Sequence, residues 1–355
     1  MARIDELFRY MNDQGCSDLH LSAGMEPRVR RKGSLVAVEN WPMLSDADIR
    51  AMLREITTDD QWQEYDEGGD LDFAYGLPGV ARFRANYLRQ QRGAGAVFRI
   101  IPEEIIPLEK LNLPQAIHKL VHLQAGLVLV TGPTGSGKST TLAAIINEIN
   151  VTYSRHIVTI EDPVEFVHQN KKCTFSQREV GRDTDGFSGA LRAAIRQDAD
   201  VILVGEMRDL ETIELGITAA EMGALVFGTL HTNNAAKTID RIIDAFPAEQ
   251  QSQIRTSLSE SLSAVVSQLL LPTADGKGRC AVNEILLKTP GLPNVIREGN
   301  TPMLHSIIQS GKNMGMQGMD DALFIKLQEG TILPRDAYMK ATDKQRFEHL
   351  LPAED

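Results

Sequence analysis

The chain has 355 residues, a formal net charge of −11 and a hydrophobic content of 42%, and this length is enough for two domains with substantial cores. The acidic balance and an aromatic content of only 5% disfavour a nucleic-acid-binding protein, because such proteins need a basic groove and stacking platforms. No apolar run approaches the roughly 18 residues that span a bilayer. We therefore expect a cytoplasmic protein with no nucleic acid among its partners.

The first hundred residues predict a small α+β domain. The N-terminal segment predicts a helix, and its acidic residues argue against a signal peptide. Four apolar side chains fall on one face of that helix: Ile4, Leu7, Phe8 and Met11. Alternating β-branched and apolar residues predict strands within residues 27–38 and 80–101, with a helix over residues 44–65 between them. We therefore predict an N-terminal domain over residues 1–101.

Two stretches of this domain have opposite charge. Residues 59–72 contain seven acidic side chains and no basic one, whereas residues 80–101 contain five arginines and no acidic side chain. Two interpretations are open. The charges form solvated faces, or some of the arginines reach a nucleotide or a neighbouring subunit.

A proline-marked stretch over residues 102–115 predicts a linker. From residue 116 to residue 289, short apolar strands alternate with helical patterns, which is typical of a parallel sheet with crossover helices. Residues 290–355 read as helices interrupted by glycine and proline. The fold class predicted for the larger part of the chain is therefore α/β.

The segment GPTGSGKST, residues 132–140, matches the phosphate-binding pattern G-x-x-x-x-G-K-[ST]. An apolar run precedes it and a helical pattern follows it, as a P-loop requires. We expect its backbone N–H groups to bind phosphate oxygens, Lys138 to contact the β- and γ-phosphates, and the Ser139 hydroxyl to bind Mg²⁺. The residues predicted to bind ATP are Gly132, Thr134, Gly135, Ser136, Gly137, Lys138, Ser139 and Thr140.

Three later apolar runs end in polar residues. Residues 156–160 precede EDPVE, residues 201–204 precede Gly-Glu206, and residues 225–230 precede His231. The carboxyl ends of parallel strands meet at one edge of a sheet, so these side chains are expected near the phosphates. A carboxylate there can hold Mg²⁺ or deprotonate the attacking water. Glu206 has the form of a Walker B acid, although that position is more often aspartate. Two interpretations of His231 are open: it is a structural histidine, or it senses the γ-phosphate through a hydrogen bond.

Long blocks of the sequence resemble a known family. TGPTGSGKSTT, TIEDPVE, AIRQDADVILVGEMRDLETI and VFGTLHTNNAAKTIDRIID closely resemble the secretion-superfamily ATPases, and within them the PilT-type retraction ATPases of type IV pili. GCSDLHLSAG and VARFRANYLRQQRGAGAVFR resemble the N-terminal domain of the same family. The resemblance implies a RecA-like P-loop core, preceded by a PAS-like domain and assembled as a hexameric ring.

The resemblance also implies roles for individual residues. Glu165, the last residue of TIEDPVE, would be the catalytic base, and Glu206 would bind Mg²⁺. His231 would lie near the phosphates, and Arg84 and Arg99 would reach the γ-phosphate. The implied function is ATP hydrolysis that powers pilus retraction and twitching motility. The implied partners are an inner-membrane pilus platform protein and a second PilT-like ATPase, and the implied location is the cytoplasmic face of the inner membrane.

Three positions depart from the family pattern. Ala224 stands where the His box usually has its first histidine, and Ala199 stands where a proline is usual. Pro293 replaces an arginine of a C-terminal motif. None of these positions belongs to the P-loop or coincides with Glu165 or Glu206, so we expect hydrolysis to be retained.

Three other functions are weighed against retraction. ATPases for pilus assembly or type II secretion are typically longer and carry a four-cysteine zinc site, whereas this chain has three scattered cysteines. An accessory subunit that acts only through a partner ring would not need a complete P-loop with Glu165 and Glu206. A nucleic-acid translocase with a RecA-like core is disfavoured by the acidic balance.

Overall fold

The computed structural model describes residues 2–31, 33–101 and 104–351. The chain divides into two compact units. One contains Met1–Glu104 together with Pro163–Val167, and the other contains Ile105–Asp162 and His168–Asp355. Residues 102 and 103 of the predicted linker and the last four residues of the predicted C-terminal segment lie outside the described residues.

The N-terminal unit is an α+β fold with one six-stranded antiparallel sheet. Its strand order is β3-β2-β1-β6-β5-β4. Its elements along the chain are α1 (Asp5–Asp13), β1 (Asp18–Ser22), β2 (Arg28–Arg31), β3 (Ser34–Ala37), α2 (Asp46–Arg54), α3 (Asp59–Gly68), β4 (Asp70–Leu77), β5 (Ala81–Gln90) and β6 (Gly93–Ile101).

The predicted apolar face is confirmed, because Leu7, Phe8 and Met11 of α1 and Ile4 directly before it are fully buried. Phe8 stacks on Phe83 of β5 with ring centroids 4.1 Å apart, which anchors the helix on the sheet. The single helix predicted over residues 44–65 is instead two helices. α2 ends at Arg54, and Thr58 starts α3 with a capping box to Gln61. The extended backbone of this N-cap is incompatible with one continuous helix.

The larger unit is built on a seven-stranded sheet of order β13-β12-β7-β11-β10-β8-β9. Its strands are β7 (Gly126–Thr131), β8 (His156–Glu161), β9 (Thr174–Glu179), β10 (Val201–Val204), β11 (Leu225–Leu230), β12 (Leu262–Pro272) and β13 (Arg279–Leu287). Its first helices are α4 (Gln115–His118), α5 (Lys138–Thr152), α6 (Phe187–Ile195), α7 (Leu210–Glu221), α8 (Ala235–Asp244) and α9 (Ala248–Ser261).

Six of these strands run parallel, from β12 to β9, as the sequence predicted. The central strands β7, β10 and β11 are buried along their whole length, as expected of a parallel sheet covered by helices on both faces. β13 is the exception, because it pairs antiparallel with β12. A short turn can join antiparallel strands, whereas a parallel pair needs a long crossover.

The predicted helical C-terminal segment is confirmed over its described part. It contains α10 (Leu292–Arg297), α11 (Leu304–Ser310), α12 (Met319–Gln328), α13 (Pro334–Lys340) and α14 (Gln345–Glu348). Pro293 lies in the first turn of α10, where a missing N–H costs no helical hydrogen bond. Across the described ranges, no helix has the length and apolar character needed to cross a membrane.

Candidate nucleotide site

The P-loop follows β7 as a tight turn that accepts only glycine at two positions. Gly132 has a φ of +145°, and a Cβ there would lie 2.2 Å from the backbone oxygen of Gln268. Gly137 has a φ of +83° and precedes the first turn of α5. A Cβ on Gly137 would lie 3.0 Å from Gln268 Nε2. Glycine is therefore required both by the backbone conformation and by the close approach of β12.

The eight residues predicted to bind nucleotide form this loop and the start of α5. The first backbone N–H groups of a helix have no partner within the helix, and the helix dipole favours a negative charge beside them. Lys138 folds back over the loop, where its Nζ donates to the carbonyl oxygens of Gly132 at 2.9 Å and Pro133 at 3.2 Å. The loop therefore combines a cation with a ready set of N–H donors, which is an anion-binding arrangement.

Glu206 lies two residues beyond the end of β10, at the carboxyl edge of the sheet. Its Oε1 lies 2.5 Å from Arg208 Nε and 3.0 Å from His231 Nε2. Burial raises the pKa of Glu206, but the hydrogen bond and charge of Arg208, with the nearby His231 and Lys138, outweigh it and leave the pKa below its usual value. Glu206 is therefore a carboxylate at neutral pH.

The backbone that carries Glu206 is fixed by the neighbouring strand β11. The Met207 N–H donates to the Thr229 carbonyl oxygen at 3.0 Å, and the Thr229 hydroxyl donates to the Gly205 carbonyl oxygen at 2.5 Å. The Met207 side chain is buried against Gly228 of β11, where a Cβ would lie 2.2 Å from its Sδ. Because Gly228 has no side chain, it leaves room for the side chain of Met207. Met207 stands between Glu206 and Arg208 in the sequence, so this packing helps to position both.

The structure brings together two of the predicted strand-end residues, Glu206 and His231, which lie 25 positions apart in the sequence. It also adds Arg208, which the sequence analysis missed. Arg208 has a raised pKa because it donates to Glu206, and the carboxylate of Asp162 at the end of β8 contributes to the rise. The signal in the sequence was weak, because Arg208 lies in GEMRD after the strand and matches no known motif at that position.

Gln268 is a second residue that the sequence analysis missed. It lies in the apolar strand β12 and is 2% exposed. Its Nε2 donates to the Ser136 carbonyl oxygen at 2.7 Å. Its Oε1 accepts from the Thr141 hydroxyl and from Asn283 Nδ2, both at 3.0 Å. A polar residue inside the run LSAVVSQLLLP was the available signal, because buried polar groups have hydrogen-bond partners.

The start of α8, directly after His231, is held by caps. Asn234 accepts the Lys237 N–H at 2.8 Å, and Glu284 of β13 accepts the Ala235 N–H at 2.8 Å. Burial raises the pKa of Glu284. Asn234 is therefore a helix cap, and of the residues HTNN the structure places only His231 against Glu206.

The remaining predicted residues belong to the N-terminal unit. Arg84 on β5 and Arg99 on β6 are directly opposite each other in the sheet. Arg99 is exposed, and its Nε donates to the carboxylate of Asp18 at 2.8 Å. Glu165 lies in the segment Pro163–Val167, which groups with this unit. The structure therefore divides the predicted residues, with Glu165, Arg84 and Arg99 in one unit and the P-loop, Glu206 and His231 in the other.

Position 224, where the family usually has a histidine and this chain has alanine, lies far from this site. Ala224 directly precedes β11, and His231 directly follows it. Seven residues of extended chain at roughly 3.3 Å each place the two positions roughly 20 Å apart. A histidine at position 224 would therefore stand at the opposite edge of the sheet from Glu206.

A P-loop that joins a strand of a parallel sheet to a helix, with a histidine at the end of the neighbouring strand and an acid at the end of the next one, defines a RecA-like ATPase. A family model described as Type II/IV secretion system protein matches residues 14–313. The type IV pilus retraction ATPase PilT of Pseudomonas aeruginosa is 51% identical over 97% of this chain and 99% of its own length. A twitching motility protein of Neisseria gonorrhoeae is 50% identical over 90% of this chain and 85% of its own length.

A solved structure agrees with these sequence comparisons. The crystal structure of the pilus retraction motor PilT with bound ADP matches with a TM-score of 0.90 and 43% identity, over 98% of this chain and 100% of that one. The chain belongs to the type II/IV secretion ATPase family, in its branch of PilT-type retraction ATPases. The family that the motifs predicted is confirmed.

Proposed function

We propose that this ATPase is the motor for type IV pilus retraction and that the P-loop, Glu206 and His231 form its hydrolytic site. The observation that carries the proposal is the position of Glu206 at the strand edge, where its Oε1 lies 3.0 Å from His231 Nε2. The retraction role is supported by full-length similarity to a retraction ATPase.

The donor set of this edge fits Mg²⁺. Ser139 offers a hydroxyl and Glu206 a carboxylate, and Mg²⁺ prefers oxygen ligands while keeping several waters. Within the described ranges, no cluster of three or more His, Cys, Asp or Glu residues could hold a metal. When bound, Mg²⁺ neutralises charge on the β- and γ-phosphates.

The proposed steps use the chain's own residues. Lys138 exchanges the carbonyl oxygens of Gly132 and Pro133 for phosphate oxygens, since its Nζ already lies over the loop. His231 donates to the γ-phosphate or holds Glu206 in place. Glu165 accepts a proton from the attacking water as the general base. Arg84 and Arg99 stabilise the charge that develops on the γ-phosphate.

The nucleotide would also drive a conformational cycle. Arg99 now donates to the carboxylate of Asp18 at 2.8 Å. To reach a phosphate, it would break this hydrogen bond and form one to a phosphate oxygen, which is also negatively charged. We propose that the N-terminal domain, residues 1–101, closes when a γ-phosphate is present and opens after hydrolysis. We place the proposed hinge before Ile105, where the larger unit begins, because Leu108 and Leu113 of the predicted linker, residues 102–115, are buried in the core of that unit. Ordering by a γ-phosphate is a known kind of switch.

We further propose a ring of six copies that engages the inner-membrane pilus platform protein from the cytoplasm, with a second PilT-like ATPase as a further partner. Light scattering after gel filtration, with and without nucleotide, tests the ring. A mass below that of six chains under all conditions would contradict it.

The test of hydrolysis is phosphate release by the purified full chain alone with Mg²⁺. We expect Lys138→Ala to abolish release, with Lys119→Ala, an exposed lysine of the same unit, as the control that retains it. We expect Arg84→Ala to bind nucleotide but to turn over slowly, with the exposed Arg92 as its control. Release that requires a partner ring would support an accessory subunit, and stimulation by DNA or RNA would support a translocase.

The test of direction is a count of surface pili. Cells that lack the gene are complemented with wild type or with Lys138→Ala. We expect excess pili that only the wild-type protein removes. Bald cells would indicate an extension motor and would contradict retraction, even if the protein hydrolyses ATP.

A further inference from the structure

The side chain of the buried Gln268 is hydrogen-bonded to Ser136 of the P-loop, to Thr141 of α5 and to Asn283 of β13. The atom that faces the Ser136 carbonyl oxygen at 2.7 Å must be the amide nitrogen, because a carbonyl oxygen only accepts. The amide oxygen therefore faces Thr141 and Asn283, which both donate to it. The orientation of the Gln268 side chain is thus fixed on both sides.

The bond from Gln268 also fixes the direction of one peptide group of the P-loop. In a planar trans peptide, the C=O and the following N–H point in opposite directions. Because the Ser136 carbonyl oxygen points toward Gln268, the N–H of Gly137 points away from β12. Gly137 has a φ of +83°, and glycine has little conformational preference of its own. The hydrogen bond from Gln268 Nε2 is a contact from outside the loop that favours this one orientation of the peptide group.

We propose that Gln268 is a positioning residue for the bound nucleotide, because it holds the Ser136–Gly137 peptide group with its N–H turned toward the phosphates. The proposal rests on the proposed function in one respect, that the ligand of the loop is a nucleotide phosphate. Asn283 of β13 supports Gln268 in turn, so the orientation of a phosphate donor depends on the antiparallel strand at the edge of the sheet.

A purely structural role for Gln268 predicts a different result. Ser267, the preceding residue, is also fully buried, and its hydroxyl is hydrogen-bonded to that of Thr131 at 2.8 Å. That bond joins β12 to β7 and does not contact the P-loop residues 132–140. Loss of either buried hydrogen bond lowers stability. Only the loss of the Gln268 contacts is expected to weaken nucleotide binding.

The experiment uses the purified full chain and a fluorescent ADP analogue. We expect Gln268→Met, which preserves size but removes the amide, to raise the Kd for the analogue about tenfold, the effect of one or two lost hydrogen bonds. We expect Gln268→Glu to do at least as much, because a carboxylate cannot donate to the Ser136 carbonyl oxygen. The KM for ATP should rise with the Kd, while kcat changes little.

Ser267→Ala is the matched control, and its Kd should stay within twofold of wild type at a comparable loss in Tm. An unchanged Kd in folded Gln268→Met would overturn the proposal, as would an equal rise in Ser267→Ala. If Gln268→Met does not fold, Thr141→Val and Asn283→Leu each remove one donor to Gln268, and an unchanged Kd in both would overturn it. ADP binding without phosphate release in the wild type would refute the proposed function and leave this test intact.

Discussion

Gly228→Ala tests how closely the packing of β11 controls the position of Glu206. The added Cβ would lie 2.2 Å from Met207 Sδ and 3.2 Å from its Cγ. Met207 cannot retreat to its other side, because a Cβ on Gly216 would already lie 2.7 Å from its Cε. With Met207 held between two glycines and 2% exposed, we expect a loss of about 1–3 kcal/mol in the free energy of unfolding, the usual effect of overpacking.

The displaced Met207 lies between Glu206 and Arg208, so we also expect the rate of phosphate release to fall in Gly228→Ala. The double variant Gly228→Ala/Met207→Ala removes the clash and should recover part of both stability and rate, which is a positive coupling between contacting residues. Gly189→Ala is the control, because a Cβ at Gly189 in α6 meets no atom within 4 Å and alanine favours a helix. A Gly228→Ala variant with wild-type stability and rate would contradict the predicted clash. So would a double variant whose stability and rate do not exceed those of Gly228→Ala.

Three further predictions concern charges and caps. Arg208→Ala should raise the pKa of Glu206, because burial then acts with less opposition, and the acid limb of the pH–rate profile should move to higher pH. An acid limb at the wild-type pH would show that Arg208 does not control the pKa of Glu206. Asp18 has a lowered pKa, because the hydrogen bonds of Ser17 and Arg99 outweigh its burial. It therefore stabilises the fold above its unfolded pKa, and the stability difference between wild type and Asp18→Asn should shrink as the pH falls below 3.8, as thermal melts would show. Thr58→Ala removes a capping box and should cost about 1 kcal/mol in denaturant unfolding, with an unchanged midpoint contradicting the cap.

The sequence predicted the elements whose periodicity or motif is local. The apolar face of α1, the P-loop and the parallel strands after it all follow from patterns that a short window contains. The break between α2 and α3 was missed although two local signals mark it. The apolar spacing of residues 49–56 stops at the polar run 57–61, and Thr58 and Gln61 carry the cap signature. β13 was missed as an antiparallel partner because its pairing with β12 depends on a turn and not on a crossover helix.

The candidate site was predictable where a strand end carries a chemically distinctive residue, as at Glu206 and His231. Arg208 and Gln268 were not, because their roles depend on side-chain directions that only the folded chain shows. Arg208 turns back to Glu206, and Gln268 reaches across from β12 to the Ser136 carbonyl oxygen. The partnership of Arg99 with Asp18 likewise joins residues 81 positions apart.

The segment Pro163–Val167 has a practical consequence for dissecting this molecule. It belongs with the N-terminal unit, although Asp162 before it and His168 after it belong to the core. The two units are therefore interleaved along the chain, and no single cut in the polypeptide separates them. A fragment that starts at residue 105 would keep these five residues without the rest of their unit, with the buried Val164 and Phe166 among them. Glu165 would then lack its native surroundings, so low activity of such a fragment would reveal nothing about the arginines of the missing unit.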